Sequence, residues 1–484
     1  MEKKFDAIIV GGGPGGLSIG SMLAKEGVSS AIIEKEPTLG GRYRSVNFHG
    51  CRTDPGMRFA PDGMFASPEE TYLNKLLSYL GLPTPAEYKI FDWTMGLVST
   101  DNPNRIEYFS MDRKKGVENF FEFFAFGSGV PLEESPRKAL RKAFNIMEDM
   151  SEEEMRSSVN VSFDSWIDKN VEDPMAQTIL KVASPLMGAP ATEVNYGQMA
   201  NIFGAFQRLG APLFGYPKHG NFEDLFVVPL INYYTDHGGN VFTNRRARSI
   251  LIENGEAKGV AVQNNESRFL EEYGASVVIC AIPIFEAVSR NILRSEFLTK
   301  EWAEAIQQCA NLAVEDLCGF YFLRKEVFPE EVPIWVHVFD ADYGIPTYVG
   351  DWGVGGLVDN TVVPSGKQLI YSYAPGGLDA THFGLASRME KVGEANRRWK
   401  EAVDKAYPGF IESIEFEGLT LQLNWGNYAM AVVPTEIDMQ SPNIRGLYFA
   451  GDTVWSVGSM VADKIYQMAF PLCERILKYI RRQG

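Results

Sequence analysis

Cysteine, histidine and long apolar runs are scarce in this 484-residue chain. The five cysteines include no C-x-x-C pair and the five histidines no H-x-x-x-H pair, so we expect neither a disulfide framework nor a metal site. No apolar run is long enough to span a bilayer. The first strand begins within a few residues of Met1, so we also expect no signal peptide. These absences predict a cytoplasmic protein.

Positive charge is also in short supply. Lysine and arginine total 46 against 62 acidic residues, which gives a formal net charge of −16. Nucleic acid is therefore not expected as a partner, because phosphate contacts require clustered cations.

The apolar content of 45% is that of a globular protein with a large core, and the length suggests two or three domains.

Glycine is abundant, and its densest run organises the start of the chain. Residues 5–10 have the pattern of a buried strand, and the glycine-rich residues 11–16 follow at once. Residues 17–27 are typical of a helix, and residues 29–34 of a second strand that ends in Glu34. Strand, glycine turn, helix, strand and acid occur in the order that a dinucleotide site requires.

Each residue of the turn has a physical task. Gly11 allows the tight turn, Gly13 lets the backbone approach a pyrophosphate, and Gly16 lets the helix lie close to the strand. Pro14 and Gly15 of the turn are also expected to bind the cofactor, and the N-terminus of the following helix offers free N–H groups and partial positive charge to phosphates.

The second strand supplies the ribose end of the predicted site. Glu34 lies about twenty residues beyond the turn, where a carboxylate accepts hydrogen bonds from ribose hydroxyls, and Lys35 follows it. An acid at this position disfavours a 2′-phosphate. No second complete G-x-G-x-x-G is present, so we expect no separate nicotinamide-binding domain.

Four further segments carry a family resemblance. They are the GGRYRS run at 40–45, the GCRTDPG run at 50–56, the GYPKHGN run at 215–221 and the GLYFAGD run at 446–452. Together with the N-terminal unit, they resemble the FAD-dependent superfamily of flavin amine oxidases, protoporphyrinogen oxidase and phytoene-desaturase-type enzymes. Asn221 replaces the second glycine of that family's P-x-G-G segment.

The resemblance implies FAD as the cofactor and assigns roles along the chain. Gly41 and Arg42 would contact the pyrophosphate, the backbone of Ala247 would pair with adenine, and Gly451 and Asp452 would meet the ribityl or diphosphate part. Further residues implied along FAD are Met57, Arg58, Ala281, Gly458, Ser459 and Met460.

The attachment of FAD is expected to be non-covalent. No cysteine lies close after Gly451, and His49 is the histidine nearest the N-terminal motifs. The helix that begins near Gly458 would aim its N-terminus at the flavin pyrimidine, where its dipole stabilises negative charge on the reduced ring.

Two residues are candidates for catalytic roles beside the flavin N5 atom. Arg58 would pair with an anionic substrate or stabilise the reduced flavin, and a structural ion pair is an equal alternative. Tyr428 would be a proton donor or an aromatic wall of the substrate site, and the wall is favoured.

The expected fold is α/β with an α+β cap. A Rossmann-like FAD-binding domain would comprise residues 1–64, 214–289 and 416–484. A discontinuous substrate or cap domain, with a mixed sheet and helices, would comprise residues 65–213 and 290–415. Other expected elements are a helix at 66–81, a hairpin of strands 248–252 and 259–262, and strands at 106–109, 277–283, 317–323 and 333–339.

An aromatic run at 120–126 has three interpretations: core packing, the lining of an apolar tunnel, or a surface that contacts a membrane. Residues 137–144 are basic and amphipathic, which would favour weak peripheral membrane contact. Acidic residues at 148–154 follow and cancel this charge, so an ordinary solvated helix is favoured.

The leading functional hypothesis is an FAD-dependent oxidoreductase that desaturates or saturates a C–C bond of a largely apolar small molecule. The alternative is an amine or amino-acid oxidase that acts on a C–N bond, although Ser459 stands where that branch has a tyrosine. A remote alternative is a prenyl-binding chaperone resembling Rab GDP-dissociation inhibitors. The substrate, the electron acceptor or donor, the direction of reaction and the oligomeric state are left open.

Overall fold

The structure is a computed structural model, and its described part leaves several gaps in the chain. The residues described are 3–48, 50–53, 60–61, 71–83, 88–91, 94–99, 102–110, 121–122, 125, 132–184, 191–209, 214–217, 220–311, 315–328, 335–340, 347–348, 363–374, 385–423, 436–455 and 463–483.

Strands and helices both occur in runs along this part of the chain. The strands are β1 Lys3–Val10, β2 Ser30–Ile33, β3 Val46–Phe48, β4 Cys51–Thr53, β5 Ala60–Pro61, β6 Tyr88–Phe91, β7 Thr94–Ser99, β8 Asn102–Ser110, β9 Phe214–Pro217, β10 Asn240–Phe242, β11 Arg245–Glu253, β12 Glu256–Asn264, β13 Leu270–Cys280, β14 Glu315–Leu323, β15 Trp335–Asp340, β16 Thr347–Tyr348, β17 Gln368–Ala374, β18 Ile414–Leu423 and β19 Leu447–Phe449.

The helices surround the sheets, and two short 3₁₀ turns lie at Gly41–Tyr43 and Ser295–Phe297. The helices are α1 Pro14–Lys25, α2 Tyr72–Leu80, α3 Glu134–Glu148, α4 Glu152–Ser157, α5 Phe163–Asn170, α6 Pro174–Ala183, α7 Tyr196–Leu209, α8 Phe222–Phe226, α9 Val228–Asp236, α10 Ile284–Ser289, α11 Lys300–Asn311, α12 Leu385–Ala406, α13 Phe410–Ser413 and α14 Asp463–Gln483.

Seven of the described strands form the sheet that positions the site. Strands β10, β2, β1, β13 and β19 run parallel in that spatial order, and the antiparallel β11–β12 hairpin joins the first half of β13. Residues 7–10 of β1 and 31–33 of β2 are buried, because helices cover a parallel sheet on both faces. The expected Rossmann-like α/β fold is confirmed.

Helix α1 begins earlier than its apolar pattern predicted, at Pro14 instead of Leu17. Proline is favourable in the first turn because its fixed φ suits a helix and its missing N–H costs nothing there. The predicted hairpin is confirmed, with Ile250 opposite Val260, and the turn at Asn254 has the positive φ of 51° that favours asparagine.

The strands predicted at 317–323 and 333–339 are present but belong to two different sheets. Strand β14 lies between β17 and β18, whereas β15 lies between β16 and β7. Strand β18 also crosses the predicted domain boundary at residue 416. The division into an FAD domain and a cap domain stays a prediction.

The amphipathic helix at 137–144 lies within α3, and its apolar side faces the core. Leu140, Phe144 and Met147 are fully buried, and the Phe144 ring meets that of Phe121 with centroids 4.8 Å apart. Phe121 therefore supports the core interpretation of the aromatic run, whereas Phe120, Phe123, Phe124 and Phe126 lie outside the described residues.

Within the described ranges, no helix combines the length and the apolar character needed to cross a membrane.

Candidate functional site

A cleft of about 400 Å³ opens where the parallel strands end and the first helix begins. This is the edge at which open α/β sheets bind ligands, because helix N-termini and loop N–H groups converge there. The predicted cofactor residues that line the cleft are Gly11, Gly13, Pro14, Gly15, Glu34, Lys35, Gly41, Arg42, Ala247, Ala281, Gly451 and Asp452.

The glycine turn forms the floor of the cleft. Gly11 has a φ of 105°, and its N–H donates to the Ile33 carbonyl over 2.9 Å, which fixes the turn between β1 and α1 against the end of β2. Gly16 does not line the cleft. A Cβ there would lie 2.0 Å from the Gly11 carbonyl oxygen, so Gly16 permits α1 to lie directly against the turn.

The Glu34 carboxylate is held in place by two backbone groups. Gly12 N–H donates to Oε2 over 2.8 Å, and Glu36 N–H donates to Oε1 over 2.9 Å. The side chain is 7% exposed, yet each oxygen keeps a second lone pair that can accept from a ribose hydroxyl.

Arg42 and Asp452 meet across the cleft. Arg42 Nη2 donates to both carboxylate oxygens of Asp452, over 2.8 and 2.7 Å. The Asp452 side chain is nearly buried, whereas that of Arg42 is 40% exposed and free to turn its remaining N–H groups toward a diphosphate.

A rim of arginines was missed by the sequence analysis. Arg245, Arg246 and Arg248 flank Ala247 on β11 and line the cleft, and Arg290 lies opposite them. The run of three arginines within four residues, in a chain of net charge −16, was the available signal. Arg245 forms an ion pair with Glu271, and Arg290 forms one with Glu286, so the rim beside Ala247 carries charges of both signs.

Several predicted site residues cannot be placed. Met57, Arg58, Tyr428, Gly458, Ser459 and Met460 lie outside the described residues. The structure therefore describes the adenosine and diphosphate side of the predicted site, and the roles given to the flavin-facing residues stay predictions.

The described residues fit a dinucleotide. An added Cβ on Gly41 would lie 3.0 Å from Gly13 Cα, and one on Gly15 would lie 3.2 Å from Gly451 N. Side chains in these positions would fill the space between the turn and the far wall. With glycine, backbone N–H groups and the Arg42 guanidinium converge on a space suited to a diphosphate.

Comparisons with known proteins agree with this geometry. The NAD(P)-binding Rossmann-like domain family matches residues 9–80. The chain is 24% identical over 424 residues to 4,4′-diapophytoene desaturase from Methylomonas sp., across 78% of this chain and 74% of that protein. It is 33% identical over 84 residues to putrescine oxidase from Kocuria rosea, across 17% of this chain and 16% of that protein.

Among solved structures, an oxidoreductase from Methanosarcina mazei has a similar fold. Its TM-score is 0.67 at 17% identity, and the alignment covers 97% of this chain and all of that one. At this identity the likeness establishes the fold.

Proposed function

We propose that this chain, a member of the FAD-dependent oxidoreductase superfamily that includes desaturases and flavin amine oxidases, dehydrogenates or saturates a C–C bond of a largely apolar small molecule. The extent of the curated matches carries this choice. The resemblance to a desaturase spans 78% of the chain, whereas the resemblances to two flavin amine oxidases cover 43% and 17% of it.

The chemistry itself belongs to the cofactor, since FAD supplies a hydride acceptor or donor at N5. The residues of the cleft would bind and orient it. The backbone at Gly13 and Gly15 would approach the diphosphate, Glu34 would accept from the ribose, and Arg42, whose guanidinium is held by Asp452, would balance the diphosphate charge. The binding is proposed to be non-covalent.

The first experiment is the visible spectrum of the purified protein before and after heat denaturation and centrifugation. We expect flavin absorption in the native protein that moves into the supernatant, as for non-covalent FAD. A colourless protein that also fails to take up added FAD would contradict the proposal and would favour the prenyl-binding alternative.

The second experiment separates C–C from C–N chemistry. The oxidised protein is mixed without oxygen with a long-chain polyene in detergent micelles, with putrescine, or with an aromatic amine, and bleaching of the flavin band is followed. The chemically reduced protein is mixed with the same polyene to test the reverse direction. Bleaching or reoxidation by the polyene supports the proposal, whereas bleaching by amines alone overturns it.

The amine oxidase alternative makes its own prediction at Tyr428. An amine substrate held in an aromatic cage depends on the cation–π attraction of its rings. Replacing the ring in Tyr428→Ala should therefore abolish amine turnover if the alternative is correct. Turnover of the polyene that survives this change, with Tyr479→Ala as a control elsewhere on the chain, would argue against a cage.

A further inference from the structure

A lysine is buried beside the wall of the cleft. Lys464 is the second residue of α14 and is 3% exposed, and its neighbour Ile465 lines the cleft itself. A charged ammonium is rarely buried without a partner, because desolvation is costly. The environment of Lys464 must therefore supply a counter-ion or keep the amine neutral.

The two carboxylates that act on Lys464 already have arginine partners. Arg42 holds Asp452 through both oxygens, and Arg156 forms an ion pair with Glu436. Lys464 Nζ has neither a hydrogen bond nor an ion pair with any residue in the described part of the chain. These two carboxylates and their arginine partners balance one another, and Asp463, directly before Lys464, adds a further carboxylate that accepts from the N–H groups of Tyr72 and Leu73.

The elements around Lys464 bring the nucleotide domain and a cap helix together. The Arg156 guanidinium, on α4, lies 4.6 Å from the centroid of the Trp455 ring. Trp455 has a φ of 52°, which is unusual for a bulky residue, and its N–H donates to the Ile437 carbonyl over 2.7 Å. The charged groups that act on Lys464 are Arg156, Glu436 and Asp452. Arg42 and Glu152 form ion pairs with members of this set, and Asp463 precedes Lys464 on α14.

In this environment the Lys464 amine loses its proton near neutral pH. Burial lowers the pKa of Lys464 to about 7, while Glu436 and Asp452 oppose that shift and Arg156 adds to it. A group that is divided between its two forms responds strongly to a new charge nearby. An anion beside Asp452 would favour the protonated form.

We propose that Lys464 is a proton-linked positioning residue for the cofactor: it takes up a proton when the anionic dinucleotide enters the cleft and supplies the cation that balances part of the added charge. The proton comes from solvent, and no electron moves in this step. The amine acts on Asp452 and the cleft through the local electrostatic field. The proposal rests on FAD occupying the cleft, and it predicts that FAD affinity depends on pH.

The test is the dissociation of FAD from the diluted holoprotein, followed by the fluorescence of released FAD between pH 6.5 and 8.5. If Lys464 is protonated with FAD and partly neutral without it, we expect about tenfold weaker binding at pH 8.5 than at pH 6.5. The same titration shows whether FAD binds at all.

Two variants of Lys464 and one control variant test whether Lys464 causes the pH dependence of FAD affinity. Lys464→Met cannot take up a proton, so its dissociation constant should be nearly constant over this range. Lys464→Arg keeps a permanent charge, so it should also lose the pH dependence while it binds at pH 8.5 more tightly than the methionine variant. Lys478→Met removes an exposed lysine of the same helix and should keep the wild-type profile.

The outcomes separate this proposal from the proposed function. A flat profile in the wild-type holoprotein overturns the role of Lys464 even if neither variant folds, and so does an unchanged profile in Lys464→Met. Both of these results leave FAD binding intact. A wild-type protein that binds no FAD contradicts the role of Lys464 and the proposed cofactor together.

Discussion

Arg42 and Asp452 are 410 residues apart in the chain, and one guanidinium nitrogen of Arg42 donates to both oxygens of Asp452. The pair joins the loop after β2 to the loop after β19 across the cleft. It brings both ends of the sequence to one diphosphate-sized space, and it motivates the first prediction.

Arg42→Lys should weaken FAD binding by about 10- to 100-fold, or roughly 1.4 to 2.8 kcal/mol. Lysine keeps the charge but lacks the planar guanidinium, whose several N–H groups can bind the Asp452 carboxylate and the diphosphate at the same time. The dissociation constant of FAD, measured by flavin fluorescence, checks this. Arg475→Lys is the control, because the Arg475 ion pair with Asp438 is exposed and lies outside the cleft lining. Equal affinities of both variants would contradict the prediction.

Gly16→Ala should destabilise the fold by about 3 kcal/mol, because its Cβ would lie 2.0 Å from the Gly11 carbonyl oxygen and would push α1 from the sheet. Gly393→Ala is a matched control within helix α12, where no described atom lies within 4 Å of the added Cβ. That change should be neutral or stabilising by about 0.5–1 kcal/mol. Urea unfolding of both variants measures the change in the free energy of unfolding. Similar losses of stability in the two variants would show that the contact between the added Cβ of residue 16 and the Gly11 carbonyl is not the cause.

Glu34→Ala should lower FAD affinity by about 10- to 100-fold. The change removes the acceptor of the Gly12 and Glu36 N–H groups and the carboxylate expected to meet the ribose. Calorimetric titration with FAD measures the loss. Glu253→Ala is the control, because Glu253 is exposed and lies outside the cleft lining. A Glu34→Ala protein with wild-type affinity would rule out the ribose contact.

Lys464→Met should stabilise the FAD-free protein, and by more at pH 6 than at pH 9. The pKa of Lys464 falls from 10.5 in the unfolded chain to about 7 in the fold. Below pH 7 the fold therefore bears the whole cost of burying the charge, and that cost disappears as the pH rises toward 10.5. The gain from the variant should differ by roughly 2.7 kcal/mol between the two pH values, since the cost falls by about two pKa units of 1.36 kcal/mol each. Urea unfolding at both pH values, beside Lys478→Met, measures this, and an equal gain at both would exclude a buried ionisation.

The first strand, turn and helix were predictable because their interactions are local. The residues that form β1, the turn and α1 lie within 25 positions of one another, so apolar periodicity and glycine spacing indicate them directly. The same locality explains the β11–β12 hairpin. The start of α1 was placed three residues late, since the apolar pattern gives no sign of a proline in a first turn.

The assignment of strands to sheets was less predictable. Residues 317–323 and 333–339 have similar apolar patterns, but β14 pairs with β17 and β18 while β15 pairs with β7 and β16. Partner choice depends on which surfaces meet after the chain has folded, and alternation within one strand carries no information about it.

The sequence by itself determined that this chain has a dinucleotide turn, an acid beyond it and a matching glycine–aspartate segment near its end. Only the tertiary structure decided that Arg42 faces Asp452, that arginines of β11 form the rim, and that Lys464 is buried beside already paired carboxylates. The physical reason is distance along the chain. A turn is stabilised by its own neighbours, whereas the charge and solvation of a side chain are set by elements hundreds of residues away.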